Sequence, residues 1–120
     1  MGMTILAVDD SASVRQMVGF TLRSAGYDVI EAQNGEDAIQ KIVTPPSLVL
    51  TDMNMPVLDG IGLIKRLRVH PTCKYVPIVV LTTESQTERK QEARAAGATA
   101  WIVKPFRPEQ LLAVVQKMLS

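Results

Sequence analysis

The sequence predicts an α/β protein built on a doubly wound, five-stranded parallel sheet. Short apolar runs rich in β-branched residues alternate strictly with segments of helical period. The runs are continuous, not alternating, as in strands covered on both faces. The connections between them are short, so successive βα units wind right-handedly onto one sheet.

The first run is Thr4-Ile5-Leu6-Ala7-Val8. Behind it Val14, Met17, Val18, Thr21, Leu22 and Ala25 recur every three or four residues, one apolar stripe on a helix that ends at Gly26. Tyr27-Asp28-Val29-Ile30 is a weaker strand, expected at an edge. Ala38, Ile39, Ile42 and Val43 repeat the helical pattern after an Asn34 cap, and Pro45-Pro46 ends it. Leu48-Val49-Leu50-Thr51 is the next strand, followed by a helix marked by Leu58, Ile61, Ile64 and Leu67. Pro77-Ile78-Val79-Val80-Leu81 and Ala100-Trp101-Ile102-Val103 complete the sheet. Leu111, Leu112, Val115, Met118 and Leu119 form the final stripe, with Pro108 in its first turn, where a missing N–H is harmless.

The helix expected from about Ser85 to Ala96 differs from the others. Its first half has no large apolar residue, and only alanines such as Ala93 and Ala96 can face a core. Ser85 and Glu88 fit a capping box. With so little apolar area to bury, this helix is expected to be the least firmly docked of the five and the easiest to shift.

Composition sets further bounds. The chain has 120 residues, enough for one domain over 1–120 that buries about two-thirds of its unfolded surface. Its 47% hydrophobic and 21% charged residues exclude a disordered chain. No segment reaches the roughly 20 apolar residues of a membrane span, and no leader pattern opens the chain, so a soluble, cytoplasmic protein is expected. Thirteen basic against twelve acidic residues leave a net charge of +1, which disfavours nucleic acid as a partner. Cys73 is alone, excluding an internal disulfide, and His70 is alone, excluding a multi-histidine metal site. Any metal ligands are therefore oxygens.

In a doubly wound sheet ligands sit beyond the carboxyl ends of the strands, at the point where strand order reverses. The residues at those ends are Asp9-Asp10, Asp52, Thr82-Thr83 and Lys104-Pro105. Taken singly, each has an ordinary role as turn former, cap, strand residue or solvated charge. The fold, however, brings all of them to one rim. Three carboxylates there repel one another unless a cation intervenes, and an all-oxygen set with retained waters suits Mg²⁺. Lys104 adds a mobile positive charge and Thr82 a hydroxyl, the groups needed to compensate phosphoryl oxygens in transfer. A carboxylate can itself serve as the nucleophile and become an aspartyl-phosphate.

At these residues the chain resembles, over nearly its whole length, the receiver domain of two-component response regulators. The matching motifs are Asp9-Asp10, Asp52-Met53-Asn54-Met55-Pro56-Val57-Leu58-Asp59-Gly60, Thr82 and Lys104-Pro105-Phe106. The resemblance implies the flavodoxin-like (βα)5 fold of CheY-like receivers. It also implies that Asp52 accepts phosphate, that Asp10 and Asp52 bind Mg²⁺ directly with the backbone carbonyl of Asn54, and that Asp9 acts largely through water. Thr82 and Lys104 match the groups that contact the phosphoryl oxygens. The bond between Lys104 and Pro105 is expected to be cis, and Pro56 and Gly60 to shape the loop after Asp52. Trp101 occupies the position of the switch aromatic, where tyrosine or phenylalanine is more usual. Thr83 stands where many relatives carry alanine or glycine. Asn54 and Glu84 match a pair that tunes phosphate loss in chemotaxis-type receivers, which implies relatively rapid self-dephosphorylation.

The implied partners are a sensor histidine kinase and a downstream protein that docks on the face formed by helix 85–96, strand 100–103 and helix 108–119. With no effector segment, a stand-alone phosphorelay switch is expected, in chemotaxis or another pathway, and not an enzyme beyond its own phosphotransfer and dephosphorylation. Two alternatives stand beside it. A haloacid dehalogenase-type phosphotransferase also combines an aspartyl nucleophile, Mg²⁺, threonine and lysine. It expects Asp-x-Asp after the first strand, however, where this chain has adjacent aspartates. A receiver-like adaptor that is never phosphorylated is disfavoured by the intact Asp10, Asp52, Thr82 and Lys104.

Overall fold

The computed structural model describes residues 2–55, 57–83 and 87–120. Pro56, Glu84 and Ser85, and with Ser85 the expected capping box, lie outside the described residues. The elements run β1 Thr4–Val8, α1 Ala12–Ser24, β2 Asp28–Ala32, α2 Gly35–Lys41, β3 Leu48–Asp52, α3 Gly60–Val69, β4 Ile78–Thr83, α4 Thr87–Ala96, β5 Ala100–Lys104 and α5 Pro108–Leu119. All five strands pair in parallel in the order β2-β1-β3-β4-β5. The order reverses between β1 and β3, and β2 lies at an edge as its weaker pattern predicts.

Strand parity divides the core in two, because successive side chains leave opposite faces of a sheet. On one side Ile5, Ala7, Leu48, Leu50, Val79 and Leu81 pack with Val18 and Leu22 of α1 and Leu111 and Val115 of α5. On the other, Leu6, Val8, Val49, Ile78 and Val80 pack with Ile61, Ile64 and Leu67 of α3, Ala38 of α2 and Ala93 of α4. The runs of β1, β3 and β4 thus feed both layers, which is why no polar residue interrupts them, whereas the outer β5 gives Ala100 and Ile102 to the first layer alone. No helix among the described residues is long and apolar enough to cross a membrane.

Local chemistry fixes the helix ends. Ser11 Oγ accepts from Val14 N, Asn34 Oδ1 from Asp37 N and Asp59 Oδ1 from Gly62 N, capping α1, α2 and α3. Pro108 opens α5, where Gln110 Oε1 accepts from Arg107 N. Four residues assigned to apolar stripes fall outside their helices: Ala25, Ile42, Val43, and Leu58, which precedes the Asp59 cap of α3 yet still packs on the core. Ala25 caps α1 and is exposed, and Val43 is 92% exposed because α2 ends at Lys41 with Ile42 as its cap. The edge strand begins one residue later than its pattern suggests, since Gly26 turns the chain at φ 97° and Tyr27 packs into the α1/α5 layer. Helix α4 has the meagre apolar footing expected of it: Ala93 is buried and Ala96 packs against the same layer.

The start of α3 is packed against the end of β3. A Cβ on Gly60 would overlap the carbonyl oxygen of Asp52 and lie 3.0 Å from Met53 Cα, both of them backbone atoms that cannot swing aside. Gly60→Ala is therefore expected to lower unfolding free energy by about 2 kcal/mol in urea titration, the scale of overpacking against fixed neighbours.

Candidate functional site

The residues expected at the rim do come together. Asp9 follows β1 and is only 3% exposed. Its Oδ1 accepts from Ser11 N at 2.9 Å, its Oδ2 from Lys104 Nζ at 3.2 Å and its carbonyl from Arg15 Nη1 at 2.7 Å. Asp10, next in the chain, is exposed. Asp52 ends β3, nearly buried, and its Oδ1 accepts from Lys104 Nζ at 3.1 Å. One carboxylate oxygen from each of Asp9, Asp10 and Asp52 lies within 4.8 Å of the others. Such a hard, all-oxygen donor set fits a small divalent cation of the Mg²⁺ kind.

Burial raises the Asp52 carboxyl above its ordinary 3.8, and repulsion from Asp9 adds to this, while Lys104 pulls the other way. For Lys104, burial pulls downward, but its pairing with Asp52 and Asp9 outweighs burial and holds the ammonium above its ordinary value. The lysine thus stays charged between two carboxylates.

Strand register brings the other rim residues up to this cluster. Asp52 pairs with Leu81, so Thr82 stands one step beyond, opposite Val103, and Thr83 stands opposite Lys104. Thr82 is fully buried, and its Oγ1 has no hydrogen-bond partner among the described residues. An unmet buried hydroxyl is uncommon in folded proteins. This one is available to a group that enters the site. The Lys104–Pro105 bond is cis, as the resemblance implies. Thr83 lines an apolar cavity of about 370 Å³ with Val14, Met17, Lys104, Pro105 and Phe106.

Beside the carboxylates opens a cavity of about 390 Å³ lined by Asp10, Asn54, Met55 and Asp59. Asn54 is exposed there; Glu84, expected to act with it, lies outside the described residues. Trp101 lies farther back on β5, paired with Val80 and 38% exposed, with Lys90 Nζ 5.8 Å from its ring centroid. His70 and Cys73 take no part: the first caps α3 and the second is buried in the core. Residue types and spacing did not single out Arg15, Asp59 or Arg89. Asp59 has a readable signal as a helix cap, whereas Arg89 reaches the site across 35 residues of sequence and leaves no local trace.

Comparison with known proteins agrees with this geometry. The model of the response regulator receiver domain family matches residues 5–116. The phosphate regulon transcriptional regulatory protein PhoB of Pseudomonas aeruginosa is 38% identical over 120 residues, which are 99% of this chain and 52% of that protein. The chain therefore spans about half the length of that relative. Chemotaxis protein CheY1 of Helicobacter pylori is 37% identical over 121 residues, 98% of each chain. Among solved structures, the chemotaxis response regulator CheY4 of Vibrio cholerae superposes with a TM-score of 0.94 at 46% identity, covering 99% of this chain and 100% of that one. The receiver domain of the sensor histidine kinase PA1611 of Pseudomonas aeruginosa, with a magnesium ion coordinated in its active-site cleft, superposes at 0.91 with 28% identity, covering 99% and 98%. Family match, sheet order and acidic rim agree: this chain belongs to the response regulator receiver domain family.

Proposed function

We propose that this receiver accepts a phosphoryl group on Asp52 from a sensor histidine kinase and thereby switches its affinity for a downstream protein. The observation that carries this assignment is the cluster of Asp9, Asp10 and Asp52, with the Lys104 ammonium paired to Asp9 and Asp52, near a Thr82 hydroxyl that has no partner among the described residues. In the transfer, a carboxylate oxygen of Asp52 bonds to phosphorus as the bond from phosphorus to the imidazole nitrogen of the donor breaks. Asp10 and Asp52, with the backbone carbonyl of Asn54, would hold Mg²⁺, and Asp9 would act largely through water. When bound, that cation supplies compensation for the charge of the carboxylates and of the incoming phosphoryl oxygens.

Lys104 stands ready to pair with a phosphoryl oxygen, and Thr82 to donate its hydroxyl hydrogen to another. A phosphoryl group adds roughly −1.5 to −2 charges, so it favours the conformer in which both groups reach it. Trp101 is the switch aromatic, and α4, β5 and α5 form the output face, supported by the exposed indole and the thin apolar footing of α4. Asn54 and Glu84 set the lifetime of the phosphoryl group, with no activity beyond this self-catalysed gain and loss. Similarity to CheY1 and CheY4 supports a chemotaxis pathway.

The test is incorporation of phosphate from a small-molecule donor such as acetyl phosphate in the presence of Mg²⁺, followed by decay of the labelled protein. Labelling and a decay complete within minutes are expected. A protein that stays unlabelled overturns the assignment, and a lifetime of many hours overturns the role given to Asn54 and Glu84.

A further inference from the structure

Arg89 stands in the first turn of α4, and its guanidinium reaches two side chains of the β3–α3 loop. Nη1 donates to Asn54 Oδ1 at 3.1 Å and Nη2 to Asp59 Oδ2 at 3.1 Å, while Nε lies 3.9 Å from Glu92 Oε1. Asn54 and Asp59 are two of the four described residues that line the cavity beside the carboxylate cluster. Asp59 cannot drift, because its Oδ1 is committed to Gly62 N at 2.8 Å as the cap of α3. A planar fork with one prong on a fixed carboxylate holds whatever its other prong engages. Here that is the Asn54 carboxamide, which is drawn toward Asp59 along one wall of the cavity.

We propose that Arg89 is a positioning residue for phosphoryl loss: it pins the Asn54 carboxamide to the cavity wall and so slows the attack of water on phosphorylated Asp52. The inference rests on the receiver assignment above. In that hydrolysis the water oxygen bonds to phosphorus as the bond between phosphorus and the Asp52 oxygen breaks. Asp52 regains its carboxylate, and both water protons leave with the phosphate. An amide oxygen is an acceptor that can orient an entering water. While Arg89 donates to Oδ1, that oxygen is partly occupied and its direction is set by Asp59, not by the solvent. Released, the carboxamide can turn into the cavity and hold a water against the phosphoryl group.

The experiment follows decay of the labelled protein, with Mg²⁺, in Arg89→Ala, Arg89→Lys, Asn54→Ala and the Arg89→Ala/Asn54→Ala double variant. Arg89→Ala is expected to speed decay roughly 3- to 10-fold, the scale of one lost charge-assisted contact. Arg89→Lys, a point charge without the fork, should fall between it and the wild type. In the Asn54→Ala background, Arg89→Ala should add nothing, since the two act through one contact. An acceleration of the same size with and without Asn54 overturns the proposal, as does an Arg89→Ala variant that decays at the wild-type rate. Wild-type protein that takes no label overturns the receiver assignment and this proposal with it, whereas normal labelling with unchanged decay overturns this proposal alone.

Discussion

Asp52→Asn is expected to abolish phosphate incorporation and, at neutral pH, to make the protein more stable. The first effect follows from chemistry: an amide oxygen is too weak a nucleophile to replace a carboxylate, and the neighbouring Asp9 and Asp10 are displaced from the end of β3. The second follows from the raised pKa of Asp52, caused by burial and then by repulsion from Asp9. A carboxyl group whose folded value lies above its unfolded value binds protons more readily when folded. Its ionisation therefore costs stability as pH rises through the interval above 3.8, and the cost persists at pH 7. Asparagine removes that cost. It also removes one of the two partners of Lys104, whose raised pKa signals a pairing that stabilises the fold below its ordinary 10.5 and fades as pH rises past it; Asp9 keeps part of that pairing. The balance is expected to be a gain of about 1 kcal/mol, or roughly 3–6 °C in melting temperature at pH 7. The gain should vanish near pH 3, where Asp52 is protonated in both states. A melting temperature that falls at pH 7 would mean that the Lys104–Asp52 pair outweighs the burial of the carboxylate.

Arg68→Ala is expected to have the largest effect on stability of any single surface-proximal change, lowering unfolding free energy by roughly 3 kcal/mol. The Arg68 guanidinium donates from Nε and Nη2 to the carbonyl of Gly97 at 3.0 and 2.7 Å. From Nη1 it donates to the carbonyls of Cys73, Lys74 and Val76 at 3.3, 2.9 and 2.8 Å. One side chain of α3 thus gathers the turn before β4 and the turn after α4, joining two segments whose own backbone bonds are mostly local. Hydrogen bonds from a charged donor contribute more than neutral ones, and alanine would leave four carbonyls without this donor. Burial pulls the guanidinium below its ordinary pKa, yet no physiological pH removes its charge. Arg68→Lys should recover only part of the loss, because an ammonium cannot fork between Gly97 and the opposite turn. Urea denaturation of the three proteins measures this directly; a loss below about 1 kcal/mol for Arg68→Ala would place the work of these turns elsewhere.

Much of this architecture is legible in the sequence for a definite reason. The three central apolar runs, those of β1, β3 and β4, serve two core layers at once, so continuous strands and short connections leave little choice but a parallel sheet with helices on both faces. Asp9, Asp10, Asp52, Thr82 and Lys104 were legible because topology carries the ends of all parallel strands to one rim, whatever their side chains do. Element ends were less so. Val43 has the spacing of a core residue, but a helix of seven residues stops short of it. Long-range side-chain forks were not legible at all. Arg89 and Arg68 look like solvated charges on helix surfaces, and only the tertiary fold reveals that one grips a loop and the other holds two turns. Nor does a β-branched residue announce a left-handed backbone, although Val57 adopts φ 73° in the loop beyond Asp52.

The ring of Asp9, Asp52 and Lys104 bears also on the order in which the chain assembles. Lys104 reaches its two acceptors across 95 and 52 residues, from a strand that pairs with β4 at the edge of the sheet. Contacts of such sequence separation form late, after the loops they close have paid their entropy. Until β5 docks, two aspartates at the ends of β1 and β3 face each other without their cation, and their repulsion is relieved when the outermost strand arrives. The charge proposed to meet the phosphoryl group is thus also a clasp between the last strand of the sheet and its centre, so a half-folded chain has neither.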